Sequence, residues 1–195
     1  MTDAIIDPPE PPGLTDGRIL LRPLAYADRD ALYAAVIESK DDVGRWMGWC
    51  HPDYSMVDTE AWFATCESEW ADPKGERSFA IFDALSGALL GSAGVNQFNR
   101  VHHFANLGYW VRSSRLRRGV ASAAALLVAR YAFDSLGLAR IEIVAQVQNV
   151  ASRKVAEKIG CRLEGIARDR LAFRERHFDA AMYSLLPGDI AQPLR

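Results

Sequence analysis

The sequence predicts a single α/β (α+β) domain: a mixed, mostly antiparallel central sheet flanked by helices on both faces. Three observations predict it. Short alternating or β-branched apolar segments are interleaved with segments of helical period, in the order β-α-α-β-β-β-α-β-α-β-β. Two strand–helix–strand passages, over 104–147 and 140–170, require crossovers that lay a helix on a sheet face. The chain has 195 residues, 49% of them hydrophobic, which is enough for one core and gives no reason to divide it.

The elements follow in order. GRILLRPL (17–24) is a short apolar run and reads as a strand. Asp28 is placed to cap a helix with Leu32, Ala35 and Val36 on one face, and Ser39 to Gly44 is expected to break it. RWMGWCHPDYS (45–55), aromatic and punctuated by Gly48 and Pro52, reads as a loop. Asp58 then caps a second helix through Trp70, with Trp62, Phe63 and Cys66 turned inward. RSFAIFD (77–83) and ALLGSAGVNQF (88–98) flank the turn signal Ser86-Gly87 and form a hairpin, joined by a third strand, FANLGYWV (104–111). A long helix from Gly119 to Leu136 sets Val120, Ala124, Leu127, Val128 and Tyr131 at helical spacing, and Gly137 stands where a helix-ending glycine belongs. RIEIVAQV (140–147) is an alternating strand. A short helix over 150–159 stops at Gly160, and CRLEGIARDRLAF and HFDAAMYSLL are two final strands. Residues 1–14, acidic and proline-rich, read as a flexible tail ahead of the domain at 15–195.

Composition excludes several classes. Lys plus Arg is 23 and Asp plus Glu is 25, a net charge of −2. A general nucleic-acid binder is basic overall, so no DNA partner is expected. Cys50, Cys66 and Cys161 are far apart with no C-x-x-C spacing, which argues against a disulfide framework and a zinc site; no metal is expected. No apolar run reaches the ~18 residues of a membrane span. The first residues lack the basic start and apolar stretch of a signal peptide, so a cytoplasmic protein, monomer or homodimer, is expected.

The positive charge is local. RSSRLRRGVAS (112–122) holds Arg112, Arg115, Arg117 and Arg118, then Gly119 and the small residues Ala121, Ser122 and Ala123, between a strand and a helix. The first N–H groups of a helix lack internal partners and the helix dipole adds positive charge there, so an anion is the natural occupant. Glycine permits a tight turn and close approach, and arginines fork onto phosphate oxygens. The combination suits a pyrophosphate. Solvated surface arginines or an RNA-binding patch are the other readings of such a loop.

A second constellation follows the next strand: QNVASRKVAEKIG, with Asn149 at the strand end and Ser152 in the first turn of the short helix. The series strand, R-R-G-x-A at a helix start, helix, strand, then N-x-x-S-x-x-V-x-E-K-x-G resembles the acetyl-CoA-binding core of the GNAT superfamily of N-acetyltransferases. GRILLRPL with Asp28, WMGW (46–49) and LEG followed by HFDAAMYSLL are similar to its RimJ/RimL-type branch, over roughly residues 15–186.

The resemblance implies the acyl-CoA N-acyltransferase fold, with two splayed strands at 104–111 and 140–147. It implies acetyl-CoA as acetyl donor, with no metal. The backbone of Trp110 and Val111 would pair with the pantetheine arm, the amides of Arg117, Arg118, Gly119, Val120, Ala121 and Ser122 would hold the pyrophosphate, and the Asn149 side chain would bind the arm. A primary amine, either a protein N-terminus or a small-molecule amine, would attack the thioester directly. The chain departs from the family pattern at Leu116, where a Gln or Arg is usual, and at Ala156, where many members carry an acid tyrosine. Ser152, a position that RimL-like members use, becomes the general-acid candidate; a helix-start hydrogen bond is its structural alternative. For the general base, Asn106 and Leu171 stand where carboxylates are common, which leaves His103 (with His102 beside it), Glu142 and Asp179 as candidates. On the acceptor side the resemblance points to Trp46, Trp49 and His51, near Tyr54, in a loop whose aromatic walls suit an ammonium group. A satellite hydrophobic cluster is the alternative there. Against the enzyme stand a catalytically silent CoA-binding module and an RNA- or ribosome-associated binding protein.

Overall fold

The computed structural model describes residues 13–190. Most of the predicted tail therefore lies outside the described residues, although Leu14 pairs with Leu21 in the first strand pair. One sheet contains eight strands: β1 (Leu14–Thr15), β2 (Ile19–Arg22), β3 (Arg77–Asp83), β4 (Leu89–Asn99), β5 (Phe104–Val111), β6 (Arg140–Gln146), β7 (Arg162–Phe173) and β8 (Arg176–Leu185). Among the described residues four α-helices accompany them: α1 (Arg29–Val43), α2 (Met56–Ala71), α3 (Val120–Asp134) and α4 (Val150–Lys158). The strand order is β1-β2-β3-β4-β5-β6-β8-β7. Neighbours are antiparallel except β5 and β6, which run parallel across the α3 crossover. This is the mixed sheet expected from the element order, mostly antiparallel as the family resemblance implies.

Alternation along the strands divides the core in two. Leu21, Phe79, Ile81, Leu107, Ile141 and Leu185 point to one face, where the small residues Ala124, Ala125, Ala129 and Ala132 let α3 approach closely. Each large side chain buried there contributes about 1.5–3 kcal/mol. On the other face α1 and α2 bring Leu32, Val36 and Phe63 against Ala80, Phe82 and Leu89.

Four local expectations are corrected. Ser39 does not break α1, which continues to Val43; the Ser39 hydroxyl donates back to the Ala35 carbonyl at 2.6 Å, inside the helix. Asp28 precedes α1 but makes no side-chain cap, because Arg22 takes both its oxygens at 2.7 and 2.8 Å. The second helix begins earlier than Asp58, at Met56: Ser55 is the N-cap, and the Asp58 carboxylate accepts from its backbone N–H and hydroxyl. Trp62 on that helix is 37% exposed rather than turned into the core.

Candidate active site

The parallel ladder between β5 and β6 has only three register pairs: Phe104 with Arg140, Ala105 with Ile141, Asn106 with Glu142. Beyond them the strands part, although β5 stays paired to β4 as far as Val111 and β6 to β8 as far as Gln146. A wedge-shaped gap therefore opens in mid-sheet, with unpaired backbone on its rim. The Arg112 N–H donates to the Leu90 carbonyl of β4 at 2.8 Å. Successive residues of a ladder face opposite neighbours, so Trp110 also turns its backbone to β4, opposite Ser92, while Tyr109 and Val111 present theirs to the gap. The Trp110 backbone thus faces away from the gap, one residue off the expectation, and the Val111 backbone faces toward it.

The basic loop lies at the open end of the gap. Residues 113–115 form a short turn, Arg117 (φ 60°) and Gly119 (φ 78°) are both left-handed, and α3 starts at Val120. Among the described residues the backbone N–H groups of 117–122 donate to no protein acceptor; the next, that of Ala123, returns to the Gly119 carbonyl at 3.0 Å. A Cβ built on Gly119 would meet only the Arg18 guanidinium and the Lys158 ammonium, each 3.9 Å away. The turn is thus open space ringed by free N–H donors and two further cations. Sequence reasoning missed both cations: Arg18 precedes β2 and Lys158 ends α4, and nothing local to either marks them.

Arg112 differs from the other three arginines. It donates to the Glu38 carboxylate of α1 and, at 3.1 Å, to the Leu89 carbonyl. Glu38 also accepts the Ser114 N–H at 2.8 Å, and Ser39 accepts that of Ser113 at 3.1 Å. The Arg112 guanidinium pulls the Glu38 carboxyl down to about 2. Arg112 is therefore an anchor that ties the loop to α1.

Across the gap, Asn149 is the N-cap of α4: its side-chain oxygen accepts the Ser152 N–H at 3.1 Å, leaving its amide nitrogen for other partners. The Ser152 hydroxyl is not used in capping. It lies 3.1 Å from the Tyr109 hydroxyl, which donates to the Ser152 carbonyl at 3.0 Å. Burial pushes the Tyr109 hydroxyl well above its usual range. A serine and a neutral tyrosine hydroxyl thus meet between β5 and α4. Tyr109 was not singled out from sequence, since its partner stands 43 positions away.

Under α1 and α2, on the other face of the sheet, lies a cavity of about 450 Å³. Its floor includes Ser92, Gly94 and Gly108, and its walls include Trp49, His51 and Trp110. Trp49 stands 5.6 Å from Trp110, ring centre to ring centre, and 6.1 Å from Tyr54. The side chain of Trp110, rather than its backbone, is what the site receives. Trp46 does not line this cavity, so of the three predicted acceptor residues the structure brings Trp49 and His51 together there.

The predicted bases do not converge on it. His103 lies in the β4–β5 turn, about 20 Å along the chain from Tyr109 at strand rise, and its carbonyl accepts the Ala139 N–H. His102 is exposed in the same turn. Glu142 sits at the last paired step of β5 and β6, held by Arg140 at 2.9 Å, and lines a separate polar cavity of about 390 Å³ with Asn106 and Arg170. Asp179 accepts the Asp169 N–H at 3.0 Å on the outer hairpin. Among the described residues no cluster of three or more His, Cys, Asp or Glu could hold a metal ion, and no helix is long and apolar enough to cross a membrane.

A sheet that parts in its middle beside a basic helix start defines the class, and comparison with known proteins agrees. A family model described as the acetyltransferase (GNAT) domain matches residues 18–162, and the chain belongs to that family. It is 31% identical to YdaF of Bacillus subtilis, provisionally named a ribosomal N-acetyltransferase, over 86% of this chain and 91% of that one. A structure from Vibrio cholerae, provisionally described as a ribosomal-protein-serine acetyltransferase, superposes with a TM-score of 0.80 at 24% identity, covering 93% of this chain and 100% of that one. RimJ of Mycobacterium smegmatis, solved with CoA-disulfide, gives 0.78 at 23% identity over 95% and 90%. Both likenesses establish the GNAT fold. With the family match and the YdaF relative, the chain is an N-acetyltransferase of the GNAT family.

Proposed function

We propose that the protein transfers the acetyl group of acetyl-CoA to a primary amine by direct attack on the thioester. The observation that carries this reading is the run of free N–H groups at 117–122 beside the open end of the β5–β6 gap. The residues fit the donor: Gly119 leaves room for a phosphate, and Arg117, Arg118, Arg18 and Lys158 supply charge around it. Val111 and Tyr109 offer backbone partners to an extended arm, and the Asn149 amide nitrogen adds a donor. The Ser152 hydroxyl, backed by Tyr109, gives a proton to the departing thiolate. The acceptor enters by the cavity of Trp49 and Trp110, whose rings attract an ammonium group. Relatives named for ribosomal-protein substrates favour a protein N-terminus over a small-molecule amine. The RNA-binding alternative is weakened because Arg112 is already neutralised by Glu38.

Calorimetric titration with acetyl-CoA tests the donor site, using the wild type and Gly119→Glu. One-to-one binding lost in the variant is the expected result. Equal binding by both proteins would remove the phosphate assignment. Thiol release with a panel of N-terminally free peptides and alkylamines then tests transfer.

A further inference from the structure

We propose that His51 is the proton acceptor for the incoming amine and that Asp58 orients it. The proposal rests on the acetyl-transfer reading above. An amine bound near neutral pH arrives as an ammonium ion and cannot attack until its lone pair is free. Four titratable groups line the acceptor cavity: His51, Tyr54, Asp58 and Tyr109. Burial pushes both tyrosine hydroxyls upward, so they stay protonated and can donate but not accept this proton. Asp58 is the opposite case. One of its oxygens takes two hydrogen bonds from Ser55, at 2.8 Å each, which hold the carboxyl below its usual range and make it a weak base. His51 remains, and imidazole is the side chain suited to proton exchange near neutrality.

The geometry supports that role. The free Asp58 oxygen lies 3.5 Å from His51 Nε2. A carboxylate there favours the tautomer protonated on Nε2, which leaves the Nδ1 lone pair as the proton-accepting site. The ring packs 5.9 Å from Tyr54. The other charged groups nearby are Asp53, exposed in the same loop, and Lys40 of α1, which donates to the Pro52 carbonyl at 2.7 Å.

The step balances. The ammonium nitrogen gives one proton to His51 Nδ1, and its freed lone pair forms the C–N bond at the thioester carbon. The C–S bond breaks with its electron pair going to sulfur. The second nitrogen proton passes through the Ser152 hydroxyl to the thiolate, and His51 returns the first proton to water.

The test is the pH dependence of kcat/KM for wild type, His51→Gln and Asp58→Asn, with N-terminally free peptides and alkylamines as acceptors and with hydroxylamine, an acceptor already neutral at the assay pH. In His51→Gln, kcat for the peptides and alkylamines should fall by roughly 100-fold and the ascending limb should move up to that of the amine itself. Hydroxylamine should lose little, and acetyl-CoA affinity should not change. Asp58→Asn keeps an acceptor for Ser55 and should shift the limb by a smaller step. An unaltered profile in His51→Gln, or an equal loss with hydroxylamine, overturns the proposal and leaves the transfer reading intact. Acetyl-CoA binding with no transfer to any acceptor by the wild type overturns both.

Discussion

At its start β5 is zipped to β6 through three residues, whereas from Leu107 onward the same strand has a partner on one side only. The zipped end is ordinary sheet, with His103 in the turn before it and Glu142 salt-bridged to Arg140 at its last step. At the open end the backbone of Tyr109 and Val111, the free N–H groups of 117–122 and the Ser152 hydroxyl come together. Unpaired backbone N–H and C=O groups must find water or a ligand. The comparison teaches that the site follows unsatisfied backbone, and that a histidine close in sequence can lie at the wrong end of a strand.

Perturbing the open end should have the largest effects. Gly119→Glu should weaken acetyl-CoA binding by at least ~100-fold, the loss of two or more charge-assisted hydrogen bonds at about 1.5–3 kcal/mol each; calorimetry reads it. Ser152→Ala should lower kcat by roughly 100-fold with donor affinity nearly unchanged. Tyr109→Phe should add little on top of it, because the two hydroxyls act as one unit; a double-mutant cycle measures that coupling.

A further prediction concerns acid. In the folded protein Glu38 is held at about 2 by the Arg112 guanidinium, against an ordinary value of 4.5. Its folded value is depressed, so its stabilisation is complete above pH 4.5 and is lost as pH falls through about 2. Glu164, held at about 2 by Arg140 on the outer half of the sheet, behaves alike. Melting temperature should therefore fall over this window, less steeply in Glu38→Gln and in Glu164→Gln. Only Glu38→Gln should also weaken acetyl-CoA binding, since it alone anchors the basic loop. The smallest effect belongs to the zipped end: His103→Gln should leave kcat and donor affinity unchanged. A loss of activity there would break the comparison.

What was legible in the sequence was local. Gly119 with Arg117 and Arg118 at a helix start, Asn149 at the head of α4 and the order of strands and helices each depend on neighbours within a few residues. What was hidden depends on tertiary contact. Arg18 and Lys158 reach Gly119 from the residue before β2 and from the end of α4, and Tyr109 meets Ser152 across 43 positions. The Trp110 reading failed on parity alone, since one step along a strand exchanges the backbone's two neighbours. Ser39 read as a helix breaker because the buried acceptor for its hydroxyl, the Ala35 carbonyl, exists only once α1 has formed.

The anchor between Glu38 and Arg112 spans 74 positions and fixes a loop that must stay still to present its N–H groups. Neither residue can drift alone: losing Arg112 strands a carboxylate beside Ser114, and losing Glu38 strands a guanidinium against the Leu89 carbonyl. In a lineage of such proteins the two sites should be inherited as a pair, with charge at one replaced only where charge at the other is replaced as well.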